Sequence, residues 1–199
     1  MKPHLRRCSA FTIAAMLMSS PLCAQSGSPI SGLISSSGIV YSNRSGKVYA
    51  VDSKHGAVVI VLANGAVKSL KTGSGPISIA VNERTGKVYV ANSESHSVAV
   101  IDGETDKLLA TVPAVHPYAI AVDDVTDKVY VSNTFSDQLT VIDGETNIAT
   151  NLKAGSADAI SVDARHGKVY LLGYESDSLK VLDEKTHALS KIPAGAMHL

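Results

Sequence analysis

The stretch Lys87-Val88-Tyr89-Val90-Ala91-Asn92 decides the fold class of this chain. Valine and tyrosine favour extended backbone, because branched and aromatic side chains suit a pleated surface. Side chains alternate along a strand, so Val88 and Val90 lie on one face while Tyr89 and Ala91 lie on the other. Both faces are therefore apolar. The sequence predicts a strand in a sheet that is covered on both sides.

The same motif returns at a fixed period. Lys-Val-Tyr occupies residues 47–49, 87–89, 128–130 and 168–170, at spacings of 40, 41 and 40 residues. About ten residues after each motif comes a second apolar run, and the last three runs end in Asp102, Asp143 and Asp183. A period of this length indicates a repeat architecture in which each unit is one supersecondary element.

One unit has the pattern of four short strands. In the second unit these are residues 76–81, 87–92, 97–101 and 107–112, separated by segments rich in turn-forming residues. Gly86 is expected to supply a positive φ in the first turn, and Asp127 stands at its position in the third unit. Asp102-Gly103 is expected to form a hairpin turn that its own carboxylate stabilises.

Four-stranded sheets with two apolar faces are stable when neighbouring sheets sandwich them, and a radial stack of such sheets is a β-propeller. The sequence therefore predicts an all-β propeller with about four four-stranded blades, at residues 37–75, 76–116, 117–157 and 158–193. Residues 25–36 form an N-terminal lead-in, and residues 194–199 are interpreted as the start of a truncated fifth blade. We expect an incomplete, open propeller; closure of four blades on themselves is the alternative.

The motifs resemble those of a known family. Tyr89-Val90-Ala91-Asn92 and Tyr130-Val131-Ser132-Asn133 are similar to the signature of the YVTN-repeat β-propellers, and Ile-Asp-Gly-Glu-Thr at 101–105 and 142–146 strengthens the likeness. The resemblance covers roughly residues 37–193, and the first and fourth units depart from it. It implies a propeller of nominally seven-bladed type and a binding role of unspecified kind.

The first 24 residues have the three parts of a secretory signal peptide. Basic residues come first, an apolar run from Cys8 to Met18 follows, and Ala24 precedes the expected cleavage site. The chain is therefore expected to be bacterial and periplasmic or secreted; a lipoprotein with Cys23 at its N-terminus is the alternative.

The leader holds both cysteines, three of the 18 basic residues and none of the 18 acidic ones, so a net charge of −3 remains. No transmembrane span is expected, and this charge does not favour nucleic-acid phosphates.

Motifs that could indicate catalysis are better explained by structure. Thr85-Gly86-Lys87 lacks the earlier glycine and the following hydroxyl residue of a phosphate-binding loop. Asp102-Gly103-Glu104 is too short for a calcium loop. No pattern pairs a nucleophile with a base, so we expect no cofactor, no resident metal and no enzymatic activity.

The loops give the candidate site. In a propeller, the loops between second and third strands share one face with the connections between blades, and loops carry function more often than strands. The candidate ligand-binding residues on or near this face are His55, His96, His116, Tyr118, Asp137, Asp158 and Tyr174, with Phe135 and Glu175 beside them.

The sequence thus predicts an exported binding or interaction scaffold whose ligand is a protein or a small molecule. Two alternatives stay open: a propeller enzyme such as a metal-dependent lactonase or hydrolase, and a DNA-binding propeller. Self-association through open blade faces is a further expectation, because exposed apolar faces invite contact.

Overall fold

The computed structural model describes residues 38–174 and 176–193. The predicted signal peptide (1–24), the lead-in (25–36), Glu175 and the fifth-blade start (194–199) lie outside the described residues.

Sixteen strands form four sheets in the described part of the chain. The first sheet comprises β1 (Ile39–Ser42), β2 (Lys47–Asp52), β3 (Ala57–Val61) and β4 (Val67–Lys71). The second comprises β5 (Pro76–Val81), β6 (Lys87–Asn92), β7 (Ser97–Asp102) and β8 (Lys107–Pro113). The third comprises β9 (Pro117–Asp123), β10 (Lys128–Asn133), β11 (Gln138–Asp143) and β12 (Ala149–Lys153). The fourth comprises β13 (Ala159–Asp163), β14 (Lys168–Leu172), β15 (Ser178–Asp183) and β16 (Leu189–Pro193).

Each sheet is an antiparallel meander whose strands follow chain order. The first strands of successive sheets neighbour one another, so β1, β5, β9 and β13 lie side by side at the centre of an arc. The sheets do not close into a ring. The predicted all-β fold with four four-stranded blades in an open propeller is confirmed.

The core consists of three apolar layers between consecutive sheets, here called interfaces 1–2, 2–3 and 3–4. Where two sheets meet, the tyrosine of Lys-Val-Tyr in the earlier sheet and the valine of the same motif in the later sheet pack into the shared layer. Val88 thus packs at interface 1–2 with Tyr49, whereas Tyr89 packs at interface 2–3. This is the two-sided burial that the alternating pattern predicts.

The turns confirm two expectations. Gly86 and Asp127 have φ values of +78° and +57°, as the substitution of one for the other predicts. The hairpin turn expected at Asp102-Gly103 joins β7 to β8, and the Asp102 carboxylate accepts hydrogen bonds from the Glu104 and Thr105 amides at 2.8 Å and 3.2 Å. The left-handed position of this turn is Asp106, with φ +57°. Gly103 is required because a Cβ there would lie 2.4 Å from the Gly86 carbonyl oxygen.

The two ends of the arc present apolar faces. On the outward face of the first sheet, Tyr41, Val48, Val61 and Val67 form one cross-strand row, and Tyr41 and Val67 are exposed. On the outward face of the fourth sheet, Tyr170 is half-buried, whereas its three counterparts in the other sheets are buried. The difference arises because no further sheet packs on these faces in the described residues.

Candidate functional site

The meander topology puts the loops between second and third strands at one end of every sheet, together with the connections to the next sheet. We call this end the loop face, and the opposite end, with the two hairpin turns of each sheet, the turn face. All seven predicted site residues lie in loop-face segments or, for Tyr118, at the start of β9.

Three rings meet on the loop face. The ring centroids of His96 and His116 lie 4.3 Å apart with the planes at 88°, and those of His116 and Phe135 lie 6.0 Å apart at 90°. These are edge-to-face contacts, a favoured geometry for aromatic pairs. We call His96, His116 and Phe135 the ring cluster. It joins the loop after β6, the connection between the second and third sheets, and the loop after β10.

The backbone holds the ring cluster in place. The Ala114 amide donates a 3.0 Å hydrogen bond to the His96 carbonyl, which ties the two histidine-bearing segments together. His96 and His116 both have left-handed backbone, with φ +49° and +45°. Such conformations are uncommon for residues other than glycine and are maintained by their surroundings. Phe135 is 85% exposed although it is apolar.

The other predicted residues do not join this cluster. The His55 ring lies 2.7 Å from the Asp52 carboxylate, its neighbour three residues earlier. The Asp137 carboxylate lies 3.4 Å from the Lys153 ammonium. The Tyr118 side chain is partly buried and makes none of the described ring contacts.

Asp158 and Tyr174 form a separate pair in the fourth sheet. The Asp158 carboxylate accepts a 2.6 Å hydrogen bond from the Tyr174 backbone amide. Tyr174 itself is 64% exposed. The structure therefore brings together two of the seven predicted residues with Phe135, and places the remaining five at other points of the loop face.

The turn face at interface 1–2 is closed by charged groups. The Lys47 ammonium donates to the Gly103 carbonyl at 2.7 Å and to the Asp106 carboxylate at 2.6 Å, and Lys68 binds the other oxygen of Asp106 at 2.7 Å. Burial works to raise the pKa of Asp106, and the two ammonium groups outweigh it and lower that pKa. Tyr49 donates from its hydroxyl to the same Gly103 carbonyl at 3.1 Å.

Other basic side chains of the turn face are also paired. Arg44 lies 3.4 Å from Glu104, Arg84 lies 3.7 Å from Asp127, and Lys87 donates to the Gly144 carbonyl. These are the side chains that a DNA-binding role would need as a cluster, and their charge is partly satisfied within the protein.

Interface 3–4 has a different composition at the same place. Glu184 stands where Gly103 and Gly144 stand in the second and third sheets, is 6% exposed, and interacts with Asp123 and the Tyr130 hydroxyl. Burial raises the pKa of Glu184 to about 7, and the neighbouring Asp123 carboxylate adds to this effect. Burial also acts to raise the pKa of Asp123, but hydrogen bonds from the Thr126 and Val125 segment lower it. Below about pH 7 the proton of this pair therefore resides on Glu184.

The sequence prediction missed Glu184, and a signal for it was present. The hairpin Asp-Gly-Glu-Thr of the second and third units becomes Asp183-Glu184-Lys185-Thr186 in the fourth. When one unit of a repeat lacks the turn glycine that other units keep, a packing or functional requirement at that position has replaced the turn preference.

In the part of the chain that the structure describes, no group of three or more histidine, cysteine, aspartate or glutamate residues is arranged to hold a metal ion. No helix in residues 38–174 and 176–193 has the length and hydropathy to cross a membrane.

Comparison with known proteins supports the fold. The family model described as NHL repeat matches residues 74–101, a segment within the second repeat. The comparison with curated protein sequences returns no match.

Among solved structures, the chain is similar to hydrazine synthase of Kuenenia stuttgartiensis, with TM-score 0.67 and 18% identity over 78% of this chain and 48% of that chain. It is similar to virginiamycin B lyase of Staphylococcus aureus, with TM-score 0.67 and 11% identity over 78% and 54%. It is also similar to a putative 6-phosphogluconolactonase of Bacteroides uniformis, with TM-score 0.65 and 13% identity over 79% and 55%. The chain spans about half the length of these structures. At such identities the likeness concerns the fold: this is a β-propeller repeat protein.

Proposed function

We propose that this protein is an exported binding scaffold of the YVTN type whose partner docks on the loop face at the ring cluster. The observation that carries this proposal is the arrangement of His96, His116 and Phe135, three rings from three segments in mutual edge-to-face contact. The cluster bridges the second and third sheets.

The ring cluster exposes apolar surface and is held rigid, and both properties favour binding. An exposed phenylalanine contributes nothing to the core, and apolar groups grouped on a surface are typical of interaction sites. Aromatic side chains with fixed rotamers supply contact area at small entropic cost, which is why they are common in binding hot spots. The hydrogen bond between Ala114 and His96 supplies that rigidity. We infer that the partner presents an apolar group to this cluster.

Binding is tested by quantitative co-purification of partners from an envelope extract of the source organism. Phe135→Ala should reduce recovery of the partner at least about tenfold, the size expected for loss of a hot-spot aromatic. Tyr174→Ala is the matched control, because this ring is similarly exposed on the same face but lies outside the cluster. Equal recovery with both variants, at unchanged melting temperature, would overturn the proposal.

Export and the YVTN assignment rest on sequence motifs. The basic, apolar and small-residue order of residues 1–24 supports export, and the paired motifs at Tyr89-Val90-Ala91-Asn92 and Tyr130-Val131-Ser132-Asn133 support the YVTN type. Expression with the native leader and intact-mass measurement should give a product that begins at Gln25. A lipid-modified product that begins at Cys23 would support the lipoprotein alternative, and an uncleaved chain would contradict export.

We also propose that the two end faces of the arc associate between copies of the chain. The fourth sheet ends in the tyrosine-bearing type of face and the first sheet in the valine-bearing type, the same two types that meet at the internal interfaces. Lys168, whose counterparts Lys47 and Lys87 bind the next sheet, contacts Asp183 of its own sheet at 2.6 Å among the described residues.

Light scattering of the purified chain should show a head-to-tail oligomer. Leu172→Asp on one end face and Val59→Asp on the other should each yield monomers, while an equimolar mixture should recover a dimer through the two intact faces. A wild-type chain that stays monomeric at all concentrations, or a mixture that stays monomeric while both variants remain folded, would refute this association.

A further inference from the structure

Interface 3–4 is less tightly closed on the turn face than the two interfaces before it. At interfaces 1–2 and 2–3 the lysine of Lys-Val-Tyr donates to a carbonyl in the next sheet, from Lys47 to Gly103 and from Lys87 to Gly144. Lys128 is the corresponding residue at interface 3–4, and its ammonium makes no hydrogen bond with the described residues. Glu184 occupies the position of the glycine that would accept it.

A cleft of about 700 Å³ opens where this lysine contact is missing. Its walls come from the turns on either side of interface 3–4 and from the start of β10. Among the lining residues, five carry basic side chains: Lys128, Arg165, His166, Lys185 and His187. Two carry carboxyl groups: Glu184, and Asp183, which binds the Lys168 ammonium at 2.6 Å. Its size is in the range of small-molecule sites.

Most basic groups of the cleft are unpaired, in contrast to several of those at interface 1–2. His166 contacts Asp163 at 2.7 Å. Lys128, Arg165 and Lys185 form no ion pair among the described residues, whereas Arg44, Lys47 and Arg84 each do. Unpaired cations that converge on a concave surface raise the local concentration of anions.

We propose that the cleft binds a small ligand bearing a tetrahedral oxyanion, a sulfate or phosphate ester, through Lys128, Arg165 and Lys185. The arginine fork and the lysine ammonium groups are the donors that suit such an anion. The site lies on the turn face, opposite the ring cluster, so it is independent of the function proposed above.

Glu184 at the edge of the cleft makes this binding sensitive to pH. The groups that face it are Asp123 from β9, Lys128 and Tyr130 from β10, Arg165 and His166 from the turn before β14, and Asp183, Lys185 and His187 from its own turn. When the carboxyl is neutral it does not repel a dianion. When it ionises, in the region of pH 7, the added negative charge weakens binding.

Isothermal titration of the full chain with sodium sulfate tests the site, because sulfate keeps its charge throughout the range in which Glu184 titrates. Binding should be observed at about pH 6 and weaken several-fold at about pH 8. Lys128→Gln and Arg165→Gln should each weaken it about tenfold. Lys107→Gln, which removes an exposed lysine at the start of β8, is the charge-matched control and should leave it unchanged.

Three outcomes would overturn the proposal: no sulfate binding by the wild type, an equal loss in Lys107→Gln, or unaltered binding in both cleft variants. In a His166→Gln/His187→Gln background, which removes both imidazoles of the cleft, Glu184→Gln should bind sulfate equally at both pH values. A Glu184→Gln variant that keeps the wild-type pH dependence would refute the role of this carboxyl. Inorganic phosphate and simple organic phosphate and sulfate esters, titrated into the same variants, then distinguish a free anion from an ester.

Discussion

Interfaces 1–2 and 3–4 are built from the same repeat and are stabilised in opposite ways. At interface 1–2 the Asp106 carboxylate lies between two ammonium groups, and a glycine lets the Tyr49 hydroxyl approach a backbone carbonyl. At interface 3–4 two buried carboxyl groups, Asp123 and Glu184, face each other beside Tyr130. The apolar layers beneath are alike, so the difference is confined to the turn face.

This contrast shows how a repeat can carry a special property without changing its fold. The apolar faces of the sheets determine the architecture. The residue that follows the turn aspartate, glycine or Glu184, determines whether a lysine hydrogen bond closes the interface or a carboxyl group with a raised pKa lies there. Because Asp106 has a lowered pKa and Glu184 a raised one, acid should weaken the first interface and base the second.

The largest effect is expected from a charge buried in interface 1–2. Val88 is fully buried between the first and second sheets, so Val88→Asp should lower the free energy of unfolding by about 4 kcal/mol. Val48 is the same residue of the first repeat, half-buried on the outward face, and Val48→Asp should cost about 1 kcal/mol or less. Urea denaturation of both variants, at a protein concentration low enough for the wild type to be monomeric, measures the difference. Similar losses would mean that the outward face is covered as fully as the interface.

The next effect is the pH dependence of interface 3–4. Since the pKa of Glu184 lies at about 7 in the folded chain and 4.5 otherwise, the folded state binds more protons between these values. The free energy of unfolding should therefore fall by about 3 kcal/mol as pH rises through this window, and level off above it. Glu184→Gln should remove most of this slope. Denaturation curves of the wild type and Glu184→Gln at several pH values measure this slope. An unchanged slope in the variant would mean that a group other than Glu184 causes the pH dependence.

A smaller loss of folding stability is expected when the ion pairs at interface 1–2 are removed. Asp106→Asn removes the charge that two lysines share and should cost about 2 kcal/mol near neutral pH. Asn147 already occupies this position in the third sheet, so the variant gives interface 1–2 the composition of interface 2–3. The loss should vanish in acid, below the pKa of the aspartate. A loss that persists there would indicate a steric rather than a charge effect.

The sequence predicts the fold well because the fold depends on patterns that repeat. The alternation in Lys87–Asn92 and its period determine the strands, their order and the two-sided burial. Gly86 and Asp127 are predictable for the same reason, since the same backbone position recurs. The Asp-Gly pair predicts the hairpin turn but not which of its residues has left-handed backbone, because turns of different length can begin with the same pair; here that residue is Asp106.

The candidate site is predicted only in outline. Topology places His96 and His116 on one face, but their ring contact depends on loop backbone that no pattern encodes. The spacing that relates His55 to His96 as equivalent loop residues does not bring them together, because the His55 ring contacts Asp52 instead. The Glu184 pair joins residues about 60 positions apart, and only the packing of two sheets reveals that they meet.

The smallest expected effect isolates one hydrogen bond and compares two tyrosines of the repeat. Tyr49 donates its hydroxyl proton to the Gly103 carbonyl, whereas the buried hydroxyl of Tyr89 has no partner. Tyr49→Phe should therefore cost about 1 kcal/mol, while Tyr89→Phe should be neutral or stabilising because it removes an unsatisfied polar atom. Both variants preserve ring packing, so paired denaturation curves report the hydroxyl alone. If Tyr89→Phe cost as much as Tyr49→Phe, the Tyr89 hydroxyl would have to be bonded in solution, and interfaces 1–2 and 2–3 would share the same tyrosine hydrogen bond.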